Sequence, residues 1–180
     1  SRRPFGSPVA ALLDSLEAAA VPTARVTSFP SMAFVPRTGL TRLVETRAVQ
    51  GGYPYYGTIE TEPAGQWTAL RTGERRDALV DEAVLIQLDA HVGDTLALGE
   101  GRFVITGVLR NVPGEVGLRT AFGPRVYIPA SYLAETGLLR FGSIARYRAY
   151  IQLPDDAGLQ RFINRHVPLF RAHRVGFDTV

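Results

Sequence analysis

Residues that commonly carry chemistry are few in this sequence and widely spaced. The three histidines are His91, His166 and His173, and none has a partner at the spacing of a metal site or a catalytic triad. Pro168 lies between His166 and His173, which disfavours a shared helix face for those two side chains. The chain has no cysteine, so disulfides and thiolate metal sites are excluded. The sequence therefore predicts no catalytic residue, no metal and no cofactor.

Two adjacent acidic pairs are the other candidates for acid–base chemistry. Asp81-Glu82 and Asp155-Asp156 both stand where helices are expected to begin. A carboxylate at that place caps free N–H groups and meets the positive end of the helix dipole. We therefore interpret both pairs as helix caps, and Gly93-Asp94 as a turn in which the aspartate bonds the backbone two residues on. No G-x-S-x-G nucleophile elbow occurs, so an enzyme is not expected.

The charge pattern does not indicate a nucleic-acid partner. All 20 basic residues are arginines, and they are scattered among 17 acidic residues for a net charge of +3. A nucleic-acid interface clusters its basic residues on one face, so we expect a solvated surface instead. No apolar run approaches the ~20 residues that span a bilayer. The start of the chain is not a secretory signal and has no initiator methionine, so we expect a piece of a longer protein.

The hydrophobic pattern at the start of the chain predicts a helix followed by two strands. Ser7-Pro8 is typical of a helix start with a serine N-cap, and apolar residues follow at helical spacing as far as Leu16. Residues 24–35 and 41–50 are rich in β-branched and apolar types and should form an antiparallel pair. Pro30 within the first strand indicates a bulge or an edge position.

The middle of the chain predicts small β-structure with short helices. A strand at residues 78–80 leads into a helix from Asp81 to Asp89, and residues 95–98 and 103–106 form a hairpin. A loop at residues 111–124 precedes a strand, "RVYIP", and a short helix that runs from Ser131 to a C-cap at Gly137.

The last third of the chain returns to the pattern of the first. A strand at residues 146–153 precedes a helix that starts at Pro154-Asp155-Asp156, and residues 173–180 are predicted to close as a strand. The sequence thus predicts an α+β fold in which two half-units flank a β-rich insertion. Residues 48–63, "AVQGGYPYYGTIETEP", then carry the chain from the first half-unit into the insertion.

Two groups of residues are candidate contacts for a partner or a cargo. Tyr53, Tyr55, Tyr56 and Trp67 form either a recognition surface or the filling of a seam between two subdomains. The loop at residues 111–124 is long for a compact domain, and it carries Leu118 and Phe122 as possible contacts. Simple flexibility explains the glycines of this loop equally well.

Several stretches together resemble one protein family. "ALVDEAVLIQLDAHVGDTLALGEGRFVITGVL" followed by "GPRVYIP" resembles the periplasmic core domain of MacB/FtsX-like ABC transporter permeases. "LVETRAVQGGYPYYGTIETEP" and "GLLRFGSIARYRAYIQLP" are similar to a subfamily of large predicted permeases, which is linked to lysophospholipase-type neighbours.

The resemblance implies two subdomains. Residues 1–50 and 144–180 would form a porter-like βαβ-type α+β unit from both chain ends, and residues 51–143 a β-rich, sabre-like insert. In the family the first porter strand comes directly from a transmembrane helix. That strand would be truncated here or lie before Ser1, so an unpaired strand edge is expected.

The resemblance also implies the function. The domain would lie between the first two transmembrane helices of a bacterial inner-membrane permease, on the periplasmic face. A separate cytoplasmic ATPase subunit would hydrolyse ATP, and the domain would move relative to a dimer mate and contact lipid-like or lipoprotein cargo or a periplasmic protein. The alternative is a docking module that recruits and regulates a periplasmic hydrolase without moving cargo. A stand-alone hydrolase has no candidate nucleophile.

Overall fold

The chain folds as a mixture of helices and strands, as the sequence predicts. The structure, a computed structural model, describes residues 4–113, 123–140 and 143–178. In these ranges the α-helices and β-strands, in chain order, are α1 Ser7–Ala18, β1 Thr23–Val35, β2 Leu40–Gly51, β3 Glu60–Glu62, α2 Gln66–Thr72, β4 Asp77–Asp81, α3 Glu82–Leu88, β5 Thr95–Leu98, β6 Gly101–Asn111, β7 Arg125–Pro129, β8 Arg146–Ile151 and α4 Asp156–Ala172.

Strands β1 and β2 form the long hairpin on which the other strands assemble. They pair antiparallel without a register shift, from Ala24 opposite Gly51 to Val35 opposite Leu40. This confirms the predicted antiparallel pair. Pro30 lies opposite Glu45 in regular register, between the part of β1 that pairs with β8 and the part that pairs with β5. The sequence predicts that Pro30 marks either a bulge or an edge position, and the edge position is the right one. Proline has no backbone N–H to donate, and at this point of β1 no second described strand pairs on the side away from β2.

Six strands close into a ring. The hydrogen-bonded order is β2-β7-β4-β6-β5-β1, and β1 also pairs with β2. Two neighbours, β2–β7 and β4–β6, are parallel, and the other pairs of the ring are antiparallel. Outside the ring, β3 adds to β6, and β8 adds to the first half of β1. Among the described strands β8 pairs only with β1, and the expectation that a missing porter strand leaves an edge unpaired stays a prediction.

The ring encloses the main hydrophobic core. Strand side chains alternate between the two faces of a sheet, so every second residue of each strand points inwards. The enclosed cluster comprises Ala33, Val35, Val44, Ala48, Ala78, Val80, Val84, Leu88, Ala90, Leu96, Leu98, Phe103, Ile105, Val126 and Ile128. Helix α3 contributes Val84 and Leu88, which are fully buried. Each leucine-sized side chain buried in this way stabilises the fold by about 1.5–3 kcal/mol.

A second buried cluster lies on the outer surface of the ring, under α2. It comprises Val26, Val49, Ile59, Trp67, Leu70, Leu79, Leu109, Val112 and Tyr127. Val26 and Val49 belong to the predicted porter-like unit, whereas Trp67 and Leu109 belong to the predicted insert. The two units thus share a continuous core, and the division at residues 50/51 and 143/144 stays a prediction.

Helix boundaries differ from the prediction by small amounts. Gly6, not Ser7, is the N-cap of α1, because the Gly6 carbonyl accepts the N–H groups of Val9 and Ala10 and no serine side chain caps the helix. Helix α3 has the predicted limits, with Asp81 before it and Asp89 after it. The short helix expected from Ser131 is a pair of 3-10 turns at Ala130–Tyr132 and Ala134–Thr136, which Gly137 ends as predicted.

The predicted closing strand at residues 173–180 is wrong over its described part, residues 173–178. Helix α4 continues to Ala172, and the Val175 N–H then bonds the Phe170 carbonyl, so the backbone wraps around the helix end. Pro168 lies inside α4. The carbonyl that it leaves without a partner belongs to Asn164, an exposed residue, so water can replace the lost hydrogen bond.

Gly99 and Gly39 provide a matched test of the packing against the β5–β6 turn. Both have left-handed backbone, with φ of +57° and +72°, but a Cβ at Gly99 would meet the Thr136 carbonyl oxygen whereas one at Gly39 meets nothing within 4 Å. We expect Gly39→Ala to cost about 1–2 kcal/mol from backbone strain alone. Gly99→Ala should lower the free energy of unfolding clearly more than Gly39→Ala does, as measured by urea denaturation. Equal losses in the two variants would contradict this account of the turn.

Candidate functional site

Four aromatic rings from distant parts of the chain contact one another in a continuous row, which is called the aromatic column. Tyr53 lies 5.0 Å from Tyr150 and 6.3 Å from Trp67, and Trp67 lies 5.2 Å from Tyr127, between ring centroids. The last contact is edge-to-face at 86°, a favoured geometry for aromatic pairs. This aromatic column connects β8, outside the ring, to β7 within it.

The segment between β2 and α2 places Tyr53 and Trp67 in the column. The Trp67 indole N–H donates to the Tyr53 carbonyl at 3.1 Å. Trp67 lies on α2, which packs over β2, β4 and β7 on the outer surface of the ring. The Tyr53-Pro54 and Glu62-Pro63 peptide bonds are cis. The Trp67–Tyr53 hydrogen bond and the pairing of β3 with β6 both hold this segment against the ring.

A buried ion pair lies at the inner end of the column. The Arg47 guanidinium lies 5.6 Å from the Tyr127 ring centroid and donates to the Tyr127 hydroxyl at 2.8 Å. A second nitrogen of Arg47 donates to the Glu45 carboxylate at 3.1 Å. Glu45 and Arg47 are only 6% and 8% exposed. Removing one partner would leave a buried charge unpaired, which is a costly change.

The structure separates the four aromatic residues that the sequence grouped. Trp67 is 6% exposed and Tyr53 is partly buried, so these two rings lie in the second core cluster. Tyr56 is 66% exposed. Tyr55 is partly buried, and burial raises the pKa of its hydroxyl. Leu118 and Phe122 lie outside the described residues. The role of all six residues as partner or cargo contacts stays a prediction.

An open cleft of about 710 Å³ lies beside the column. One wall is the segment from Tyr53 to Gly57 with Pro113, and the other is the end of β8 with the start of α4. The walls mix aromatic and proline surface with carboxylates. In the described ranges no three His, Asp or Glu side chains are grouped so as to hold a metal ion.

The interpretation of the acidic pairs as caps is right at one site and wrong at the other. Asp155 accepts the Gly158 N–H, as a cap does. Asp81 occupies the N-cap position of α3 without making a cap bond, because β7 brings Arg125 beside it. Asp81 accepts the Arg125 backbone N–H at 2.7 Å and the guanidinium at 2.8–3.2 Å. Charge-assisted bonds of this kind are stronger than a bond to a neutral amide.

Asp94 does more than form a turn. Its carboxylate accepts the His91 N–H, three residues before it, at 2.9 Å, not the backbone two residues on as predicted. It also accepts two guanidinium nitrogens of Arg37, which lies between β1 and β2. The Arg37 hydrogen bond and the His91 N–H hold the pKa of Asp94 below its usual value. Asp94 thus ties the far end of the long hairpin to the start of β5.

Helix α4 packs with its aromatic side towards the domain. The His166 ring centroid lies 4.7 Å from that of Phe162 and 6.4 Å from that of Phe170, and Phe170 is buried. Burial, together with nearby Arg165, lowers the pKa of His166. At the end of the helix His173 lies against Gly6, so the first and the last described segments of the chain meet there.

Three solved structures share this fold with the chain. A domain of a putative permease protein from Porphyromonas gingivalis has a TM-score of 0.57 at 15% identity, with 90% of this chain and 76% of that chain covered. The periplasmic region of MacB from Actinobacillus actinomycetemcomitans has a TM-score of 0.56 at 14% identity, with 92% and 74% covered. The extracellular domain of the noncanonic ABC-type transporter YknZ from Gram-positive bacteria has a TM-score of 0.59 at 12% identity, with 91% and 83% covered.

The sequence comparison defines the family. The profile described as MacB-like periplasmic core domain matches residues 2–166, and the chain therefore belongs to this family of ABC transporter permease domains. Permeases of this class work with a cytoplasmic ATPase. No curated protein matched the chain significantly. In the described ranges no helix is long and apolar enough to cross a membrane.

Alanine substitutions of buried Trp67 and exposed Tyr56 should differ in their effect on the free energy of unfolding. Trp67→Ala removes a buried ring that contacts two others, so it should lower the free energy of unfolding by about 3–5 kcal/mol. Tyr56→Ala removes an exposed ring and should change it by less than about 0.5 kcal/mol. Chemical unfolding followed by circular dichroism measures both values. A small loss for Trp67→Ala would mean that the column contributes little to the fold.

The position of His166 predicts an acid-sensitive stability. Its pKa is lowered in the folded state from the usual 6.5, so below that pH the unfolded chain binds the proton more readily. The stabilising effect of the neutral ring is complete above pH 6.5 and is lost as the pH falls. Between about pH 7.5 and 5.5, the melting temperature of the wild type should fall more than that of His166→Phe. Parallel decreases in the two proteins would show that His166 does not contribute.

Proposed function

We propose that this chain is a non-catalytic domain on the periplasmic face of a bacterial inner-membrane permease. In this proposal it transmits ATPase-driven motion across the membrane, moves relative to a dimer mate, and contacts lipid-like or lipoprotein cargo or a periplasmic protein. The observation that carries the proposal is the match of one permease-domain family to residues 2–166, nearly the whole chain.

The contacts between the two predicted units support rigid transmission. The porter-like unit, residues 1–50 and 144–180, would receive the movement, because its first and last described segments meet at Gly6 and His173. The insert, residues 51–143, would carry it outwards. The Tyr53–Tyr150 ring contact and the pairing of β1 with β5 and of β2 with β7 join the two units, so a displacement at one end should move the other as a rigid body.

The cleft and exposed Tyr56 favour a second candidate, a docking module for a periplasmic hydrolase. Tyr56 lies on the wall of the cleft with its ring 66% exposed, a suitable anchor for a protein partner. In this alternative the domain recruits and regulates the hydrolase without moving cargo. The two functions differ in whether the domain moves when ATP is bound.

Spin-label distances in the full-length permease with its ATPase test the motion. These 180 residues contain no cysteine, so once any cysteines elsewhere in the permease and the ATPase are replaced, Glu74→Cys places a single label on the exposed turn after α2 in each copy of a dimer. We expect the distance between the two labels to change when ATP is added. An unchanged distance together with stable binding of the hydrolase would favour docking, and would contradict the transmission of motion.

A second pair of labels in the same copy is the control. Glu74→Cys and Gln160→Cys place labels on exposed sites of the predicted insert and the porter-like unit. Their separation should stay the same with and without ATP if the domain moves as one body. A change within one copy would show that the two units move against each other.

A further inference from the structure

The arginines of α4 form a charged face that the sequence pattern did not reveal. Arg161, Arg165 and Arg171 are exposed on α4, and Arg174 is exposed just beyond its end. With 3.6 residues per turn, the three helical arginines fall within about a third of the helix circumference. The buried Phe170 lies on the opposite side. We call Arg161, Arg165, Arg171 and Arg174 the arginine face.

The arginine face groups exposed arginines on one helix where no carboxylate neutralises them in the described part of the chain. Eight arginines elsewhere have a carboxylate within ion-pair distance: Arg25, Arg37, Arg47, Arg75, Arg76, Arg110, Arg125 and Arg140. No acidic residue occurs between Asp156 and Asp178. Across the described part of the chain, none of the four has an ion-pair partner. Exposed arginines without counter-charges are attracted electrostatically to an anionic membrane surface.

The charge of the arginine face favours an anionic surface as its occupant. Gly6 lies against His173 at the C-terminal end of α4, close in the chain to Arg171 and Arg174, so the first described segment of the chain passes beside this end of the face. Phe177, which follows, packs against Phe170 on the opposite side of the helix, so the contact that the arginine face offers is electrostatic. Folding thus collects on one helix arginines that are spaced out in the sequence.

We propose that the arginine face of α4 binds the anionic phospholipid headgroups of the membrane surface next to the domain. This proposal rests on the proposed function only in assuming that a membrane lies nearby. Guanidinium groups match phosphate oxygens in charge and geometry, so each headgroup phosphate can accept two parallel hydrogen bonds. The contact would fix the tilt of the domain over the bilayer, and loss of anionic lipid would release it.

Sedimentation with vesicles tests the proposal on the 180-residue chain without an ATPase or a transport assay. Vesicles of phosphatidylglycerol mixed with phosphatidylcholine should bind the wild type at low salt, and phosphatidylcholine alone should not. High salt should abolish binding because it screens charge interactions. Each arginine near an anionic surface contributes about fivefold in affinity, so R161Q/R165Q/R171Q should weaken binding on the order of a hundredfold.

A charge-matched variant separates the arginine face from net charge. R161Q/R165Q/R171Q and R42Q/R102Q/R140Q both lower the net charge from +3 to zero, and the second set lies on or beside the ring. The second variant should bind anionic vesicles within a few-fold of the wild type, and circular dichroism should show both variants folded. Equal losses in the two variants, or binding of neutral vesicles as tight as of anionic ones, would overturn the proposal.

The vesicle experiment and the spin-label experiment fail independently. Vesicle binding that is lost only in the α4 variant, with label distances that ignore ATP, would support the lipid contact and contradict the transmission of motion. Label distances that change with ATP, with no vesicle binding, would support the transmission of motion and contradict the lipid contact.

Inorganic phosphate added to the vesicles should compete only weakly, because a single free ion cannot engage several arginines at once. Complete competition by phosphate at low concentration would indicate a small-anion site and overturn the membrane assignment.

Discussion

The pairing of β1 with β2 along their whole length is the constraint on which the rest of the structure depends. The second half of β1 and most of β2 close the ring, while the first half of β1 supports β8 outside it. One hairpin therefore takes part both in the closed ring and in the pairing of β8 outside the ring. This explains why residues 44–49 of β2 are buried without interruption, although a strand with one solvated face would alternate. A shift of register in this hairpin would displace the ring and β8 together.

The sequence is informative where the determinants are local. The hairpin of β5 and β6, the start of α3 at Asp81 and the cap at Asp155 each depend on residues within one or two turns of the chain. The ring could not be derived in this way, because its closure joins β2 to β7 across about 80 residues. Helix α2 and strand β3 are too short for a hydrophobic period to appear. Asp81 shows the limit of local reasoning, since its partner Arg125 is 44 residues away.

The candidate site was predictable in type but not in arrangement. Tyrosine and tryptophan near residues 53–67 indicated either a seam or a surface, and the fold buries Trp67 and exposes Tyr56. Tyr127 and Tyr150 complete the column, yet no spacing rule connects them to Tyr53. The arginines of α4 were equally hidden, because intervals of four and six residues look scattered in sequence and converge only on a helix.

The parallel contact of β2 with β7 also determines the order in which the chain can assemble. The β1–β2 and β5–β6 hairpins close over short loops and can form as soon as they leave the ribosome. The ring must wait for residues 125–129, since β7 supplies the strand between β2 and β4. Until then the backbone N–H and C=O groups along one edge of β2 and of β4 have no strand to pair with, and they can pair with other chains. During its synthesis this domain thus depends on the speed with which its middle section emerges.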